Sequence, residues 1–331
     1  MSKVSCIIPT LNEEKHIESC IESLRNQNFP FEDMEIIVAD GGSTDTTRDI
    51  VLRLSDKCPN VRLVDNPGKI QSCAFNVGVS ESSAPYVLRM DAHVLYSEDY
   101  IQRCILYLEN DENIGNVGGR CIIKASEDSI MAKANAILNH SRFGIGNSDF
   151  RVGDKARETD TVPFGAFRRE TLEIVGGMRE DLPRGEDNEF NSRIIRYGYK
   201  IWFDPDITSI YYARPSLISS ARQMFLNGVS IAWLLKVDRQ SVRLRHLVPL
   251  VFIVSIPLTC GLSLGAYILA AIVADFRLCR DEGFKYFFPL LLLFPAIHLS
   301  YGVGTICGFL SILRDYIHKF GHILAKFLIK R

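Results

Sequence analysis

Two side chains able to coordinate a ligand stand two residues apart in Arg89-Met90-Asp91-Ala92-His93. The apolar run Tyr86-Val87-Leu88 in front of them follows turn-forming Ser82, Ser83 and Pro85, and it reads as a buried strand. Residues two apart on an extended chain point to the same side, so in this reading Asp91 and His93 face a common ligand. One carboxylate and one imidazole suit a divalent cation such as Mn²⁺, whereas Mg²⁺ prefers oxygen throughout. A strand end that is merely polar accounts for the same five residues. Asn12, Glu13 and Asp40 are further candidates, each behind an apolar run of its own, and so is the pair Glu186-Asp187. Acidic residues in a first helical turn are favoured by the helix dipole, so that pair reads equally as a structural cap.

These residues need a scaffold, and the hydrophobic pattern describes one. Val4 to Pro9 is an apolar strand, followed after Thr10-Leu11-Asn12-Glu13 by Ile17, Cys20, Ile21 and Leu24 at helical spacing. The unit recurs with a strand over Glu35 to Ala39, a turn over Asp40 to Asp45, and Ile50, Val51 and Leu54 on one helix face. Val61 to Val64 is a third strand, and Lys69 to Val79 a helix leading to the strand before Asp91. Strands and helices alternating in this way imply parallel strands joined by right-handed crossovers, an α/β class. Ligands of such sheets bind beyond the carboxyl ends of the strands, which is where Asn12, Glu13, Asp40 and Asp91 lie. Further on, Ser97 is placed to cap a helix, and Asn116 to Ile123 reads as a strand containing glycine. Gly144 to Thr161 is a long polar stretch that reads as a mobile flap. Thr161 to Phe167 is extended, Glu170 to Val175 a short helix, and Arg184-Gly185-Glu186-Asp187 precedes a helix carrying Phe190, Ile194 and Ile195.

The 331 residues suffice for one large domain or two ordinary ones, and the net charge of −1 argues against a general nucleic-acid binder. No G-x-G-x-x-G follows the first strand and no P-loop occurs, which disfavours dehydrogenase and P-loop chemistry. Nine scattered cysteines without C-x-x-C spacing indicate neither a zinc site nor a disulfide framework. The start of the chain shows no signal-peptide pattern.

Beyond residue 213 the composition changes. Residues 214–246 read as an amphipathic segment, buried or lying at a bilayer surface. Residues 247–313 carry two long apolar runs, 247–274 and 284–313, which read as transmembrane segments. Lys236, Arg239, Arg243 and Arg245 precede them, and Arg314, Lys319, Lys326, Lys330 and Arg331 follow. The excess of basic residues at both flanks predicts the large domain on the cytoplasmic side, while Arg277, Arg280 and Lys285 in the linking segment count against that orientation. The stretch 314–331 reads as a basic amphipathic tail on anionic lipid.

Taken in order, VSCIIPTLNEE, EIIVADGGSTDTT, NPGKIQSCAFNVGV, RMDAH, DTVPFGAFRRE, LPRGEDNEFNSRI, RPSLISSARQMFLNG, RHLVP and HLSYGVG resemble the family-2 glycosyltransferases. More narrowly they resemble the membrane-anchored succinoglycan-biosynthesis type. The resemblance implies a GT-A catalytic domain over 1–213. It implies that Thr10, Asn12, Glu13 and Asp40 hold the uracil and ribose of a UDP-sugar, with Pro9, Gly41 and Lys69 beside the donor. Asp91 matches the first aspartate of the family's D-x-D motif and His93 stands in the place of the second, so the pair would share a divalent metal, Mn²⁺ or Mg²⁺. Asp187 matches the proposed general base, with Glu186 beside it, and Arg184 and Gln223 fall on the acceptor side. Gln223 lacks the Arg-Trp pair of processive relatives, which argues against polymerisation. The implied activity is inverting transfer from a UDP-sugar to a lipid-linked or saccharide acceptor in cell-surface polysaccharide synthesis. The alternative is a membrane-anchored nucleotide-sugar-binding or assembly protein without catalysis, which His93 favours and intact Asp40, Asp91 and Asp187 oppose. A nucleotidyltransferase would need a basic, Gly-rich phosphate loop that Thr10 to Lys15 does not supply.

Overall fold

The structure, a computed structural model, describes residues 2–182 and 184–329, the side chains of 316 and 318–329 excepted. The chain begins with strand β1 (Val4–Thr10), helix α1 (Ile17–Arg25), β2 (Met34–Asp40), α2 (Thr47–Lys57), β3 (Val61–Asp65), α3 (Gln71–Ser80) and β4 (Tyr86–Arg89). It continues through β5 (Val94–Tyr96), α4 (Tyr100–Asn110), β6 (Ile114–Ala125), α5 (Ile130–Asn139), α6 (Arg142–Ile145), α7 (Asp149–Val152) and β7 (Arg157–Thr159). Next come β8 (Ala166–Arg168), α8 (Arg169–Val175), α9 (Glu186–Arg196) and β9 (Lys200–Ala213). Four helices end it: α10 (Leu217–Val237), α11 (Leu244–Leu258), α12 (Leu262–Glu282) and α13 (Phe287–Ile329). Two compact units result, one of residues 1–124 and 147–213, the other of 125–146 and 214–331.

In the first unit the described strands form one nine-stranded mixed sheet in the order β3-β2-β1-β4-β8-β6-β9-β5, with β7 on β9. β1 pairs in parallel with β2 and β4, and β2 with β3, as the alternating pattern predicts. Every residue of β1 is buried, because crossover helices cover both faces of a parallel sheet. Register puts Thr10 beside Asp40 and Asp40 beside Asp65, so the polar ends of three strands form one row. Ile7, Phe75, Val87, Phe167, Phe190 and Phe203 belong to the core beneath this row, with the rings of Phe75, Phe167 and Phe190 meeting edge-on or tilted. That packing holds α9 against the sheet.

Three local expectations change. Asp99, not Ser97, precedes α4, and Ser97 instead donates its N–H to Thr208 O on β9. Helix α3 starts at Gln71, because Lys69 sits at φ 60°, outside the helical region. The supposed flap is built structure. α6 and α7 lie within 144–161 or at its edge, and β7 pairs with β9. Asp149 is bonded by Arg157 and, at 2.7 Å, by Thr159 Oγ1. Polar composition hid these short elements, since each is stabilised by contacts distant in sequence rather than by a pattern of its own.

In the second unit the apolar run 247–274 is not one segment. It breaks between α11 and α12, where Cys260 and Gly261 take φ of 48° and 87° just after Pro257. α11, with 15 residues, is about 22 Å long and shorter than a ~30 Å hydrocarbon core. Among the described residues, the helices long and apolar enough to cross a membrane are Leu262–Glu282 and Phe284–Asp315. α10 packs directly along α13. A Cβ on Gly228 would lie 2.0 Å from Tyr301 O, and one on Gly304 2.1 Å from Phe225 O. Tail residues Lys330 and Arg331 lie outside the described residues, and Lys319 and Lys326 outside the described side chains.

Candidate active site

The loops after β1 and β2 are laced together by the residues singled out in the sequence. Asn12, at φ 56°, donates its N–H to Ser43 Oγ at 2.8 Å and accepts from Thr44 N–H at 2.8 Å. Asparagine tolerates that left-handed backbone better than most residues. Glu13 N–H donates to Thr47 Oγ1 at 2.8 Å, and Gly41 N–H to Thr10 O at 2.8 Å. Asp40 anchors the turn, accepting from Gly42 N–H and Ser43 N–H at 3.0 Å each, from Ser43 Oγ and from Arg48 Nη1 at 2.7 Å. Burial alone would raise this carboxyl, but the bonds from Ser43 and Arg48 outweigh it and hold Asp40 below its usual range. Pro9 lies in β1 opposite Ala39, and exposed Lys69 passes close to Gly41, whose Cβ would lie 3.4 Å from Lys69 Cα.

Asp91 follows β4 on a turn closed by Val94 N–H donating to Asp91 O at 3.2 Å, so the three residues Asp91 to His93 are not extended. The alternation that predicted a shared direction for their side chains therefore does not apply. Each is held separately. Arg89 Nη2 lies 3.4 Å from Asp91 Oδ1, and His93 Nδ1 lies 3.0 Å from Glu13 Oε1. The His93 ring also meets Tyr211 edge-on, with centroids 5.4 Å apart.

Among the described residues, no three His, Cys, Asp or Glu side chains gather as a metal cluster. Asp91 and His93 each lie near this turn, one carboxylate and one imidazole held by different partners. One carboxylate and one imidazole are donor types that would suit a divalent cation such as Mn²⁺. Glu13 Oε1 holds the His93 ring at Nδ1.

On the far side, Gly185 at φ 85° lets the chain turn sharply into α9. Glu186 and Asp187 thus occupy the first turn, where backbone N–H groups favour negative charge. Glu186 is buried, and burial first, then the adjacent Asp187, pushes its carboxyl up to about 7. Asp187 is 39% exposed at its side chain and can be reached from outside. Its Oδ1 bonds Arg89 Nη1, which closes a constellation of Arg89, Asp91, Glu186 and Asp187 from two elements 98 residues apart in sequence. Arg184 is exposed just before this turn, and Gln223 lies half-buried on α10 in the second unit.

Sequence reasoning passed over Arg89, although a lone charge ending an otherwise apolar strand was a visible signal. It also passed over Arg48, whose partners Asp40 and Asp65 come together only through strand register.

Glycosyl transferase family 2 matches residues 5–174, from β1 almost to the end of α8. The chain belongs to that family. This family-2 glycosyltransferase is 35% identical to the succinoglycan biosynthesis protein ExoA of Rhizobium meliloti (strain 1021) over 249 residues, 74% of this chain and 73% of that one. It is also 29% identical to the dolichyl N-acetyl-alpha-D-glucosaminyl phosphate 3-beta-D-2,3-diacetamido-2,3-dideoxy-beta-D-glucuronosyltransferase of Methanococcus voltae over 316 residues, 91% of this chain and 96% of that one. Among solved structures, the mannosyltransferase PcManGT from Pyrobaculum calidifontis, in complex with GDP-Man and Mn²⁺, superposes with a TM-score of 0.61 at 21% identity. That likeness covers 92% of this chain and 87% of the other. The family-2 fold is thus the GT-A fold, with the two apolar helices of the second unit as candidate membrane spans.

Proposed function

We propose that this family-2 enzyme transfers a sugar, with inversion, from a UDP-sugar to a lipid-linked saccharide at the cytoplasmic face of the inner membrane, in cell-surface polysaccharide synthesis. The observation that carries the reading is the meeting of Asp187, at the start of α9, with Arg89 and Asp91 at the end of β4. A partly exposed carboxylate then stands beside the carboxylate on the donor side.

In this reading the acceptor hydroxyl gives its proton to Asp187 while its oxygen forms the bond to the anomeric carbon. The bond from that carbon to the diphosphate oxygen breaks on the opposite face, and UDP leaves with the electron pair. A single displacement inverts the centre. A base within hydrogen-bond reach contributes about 10²–10⁴-fold to such a step. A cation held by Asp91 and His93 would supply positive charge for the departing diphosphate. Asp40, with Thr10 beside it, would take the ring N–H of the base, and Asn12, Glu13, Gly41 and Lys69 would line the ribose and phosphates. Arg184, just before α9, would serve the acceptor. The words dolichyl and phosphate in the name of the Methanococcus voltae relative support a lipid-linked acceptor, and Mn²⁺ in the mannosyltransferase supports a divalent cation. Membrane attachment draws on α12 and α13, and the cytoplasmic side on Lys236, Arg239, Arg243 and Arg245. A binding protein without catalysis would have no use for a reachable Asp187.

The test is a screen of UDP- and GDP-sugars in detergent, scoring sugar transfer to polyprenyl-linked saccharide. One UDP-sugar should react, and chelation should stop transfer until Mn²⁺ is restored. Transfer from GDP-sugars alone would overturn the donor assignment, and transfer indifferent to chelation would overturn the cation's role.

A further inference from the structure

Arg89 sits among the carboxylates at the end of β4 and the start of α9. Its side chain is 6% exposed, and burying a guanidinium is costly unless its charge is matched closely. Here the match comes from two elements at once. Nη1 bonds Asp187 Oδ1, while Nη2 lies 3.4 Å from Asp91 Oδ1, 3.8 Å from Glu186 Oε1 and 3.2 Å from Gln71 Oε1. A guanidinium is planar, with its donors in a fixed fork, so holding one end settles where the other points. One end of this fork is on the base and the other on the donor-side carboxylate.

The lone pairs of Asp187 complete the geometry. Only Oδ1 is engaged by Arg89, and Oδ2 makes no hydrogen bond among the described residues. A base needs one oxygen held and the other left to the incoming proton. Arg89 and Asp187 also line the same small cavity, together with Asn116, Phe164, Phe190 and Asn191.

We propose that Arg89 is a positioning residue for sugar transfer, fixing the Asp187 carboxylate relative to Asp91 so that base and donor are aligned in one geometry. The proposal deepens the functional reading and rests on Asp187 being the base. It requires Arg89 to act through Asp187, and a double-mutant cycle reads that directly.

Transfer rate and donor KM are measured for the parent, Arg89→Gln, Asp187→Asn and the double variant, with thermal melting and UDP binding as checks on each fold. Misplacing a reacting group by about 1 Å can cost roughly 10²-fold, so Arg89→Gln should lower kcat about 10- to 100-fold while donor KM changes little. In the Asp187→Asn background the same change should cost no more than about twofold, because the group it acts through is already disabled. Arg89→Lys, which keeps the charge and loses the fork, should recover part of the rate. If Arg89→Gln does not fold, Arg89→Lys carries the same cycle, slower than the parent alone and neutral beside Asp187→Asn.

An equal cost of the Arg89 change in both backgrounds would overturn the proposal, since Arg89 would then act elsewhere. Parental kcat in Arg89→Gln would overturn it as well. Near-parental transfer by Asp187→Asn alone would remove the base itself, an outcome distinct from either of these.

Discussion

Glu186 and Asp187 are neighbours in sequence with different surroundings. Glu186 is buried and its carboxyl is raised to about 7, whereas Asp187 reaches solvent and bonds Arg89. In the unfolded chain a glutamate titrates near 4.3, so between about 4.3 and about 7 the folded chain keeps a proton that the unfolded chain has lost. Stability from this group is therefore fully present below that window and falls as pH rises through it. Glu186→Gln removes the dependence, and its melting temperature relative to the parent should rise between roughly pH 4.3 and pH 7 and level off above it. A difference that stays flat over that range would mean Glu186 is ionised throughout in the fold. At this scale the sequence located carboxylates, amides and an imidazole at strand and helix ends, because their neighbours carried the apolar pattern. It did not reveal which side chains touch. Arg89 and Asp187 are 98 residues apart, and only the packed sheet brings them together.

Helices and strands were legible where an element buries a face of its own. β1 to β4 alternate with their crossover helices, so their parallel pairing followed from pattern, though not their order β3-β2-β1-β4. Antiparallel β5, β8 and β9 were harder to read, since their pairing joins distant segments. In the second unit the apolar run of 247–274 hid the break between α11 and α12, because the side chains on both sides of Gly261 are equally apolar. The close pairing of α10 with α13 was equally hidden, and it depends on glycines that let the backbones approach. Gly228→Val would put side-chain atoms where Tyr301 O and Thr305 N already stand. Overpacking of this kind costs about 1–3 kcal/mol, so the variant should melt earlier in detergent or refuse to accumulate. An unchanged melting temperature would mean that α10 and α13 separate without cost.

The whole chain joins a sugar-transferase fold to a bundle whose apolar surface faces outward. On α12, Leu269 is 65% exposed and Phe276 54%, an arrangement suited to lipid rather than water. Expressed protein should therefore sediment with membranes, resist extraction by carbonate or high salt, and dissolve in detergent. Full-length protein that stays soluble and monodisperse without detergent would contradict the anchor. The central claim is that Asp187 takes the acceptor's proton, and the direct measurement is sugar transfer by Asp187→Asn beside its UDP affinity. Asparagine caps a helix about as well as aspartate, so the variant should keep its fold. Turnover should drop roughly 10²–10⁴-fold with UDP binding nearly unchanged. Transfer close to that of the parent would contradict the account, leaving Asp187 as a helix cap and the base to be sought elsewhere in the cleft.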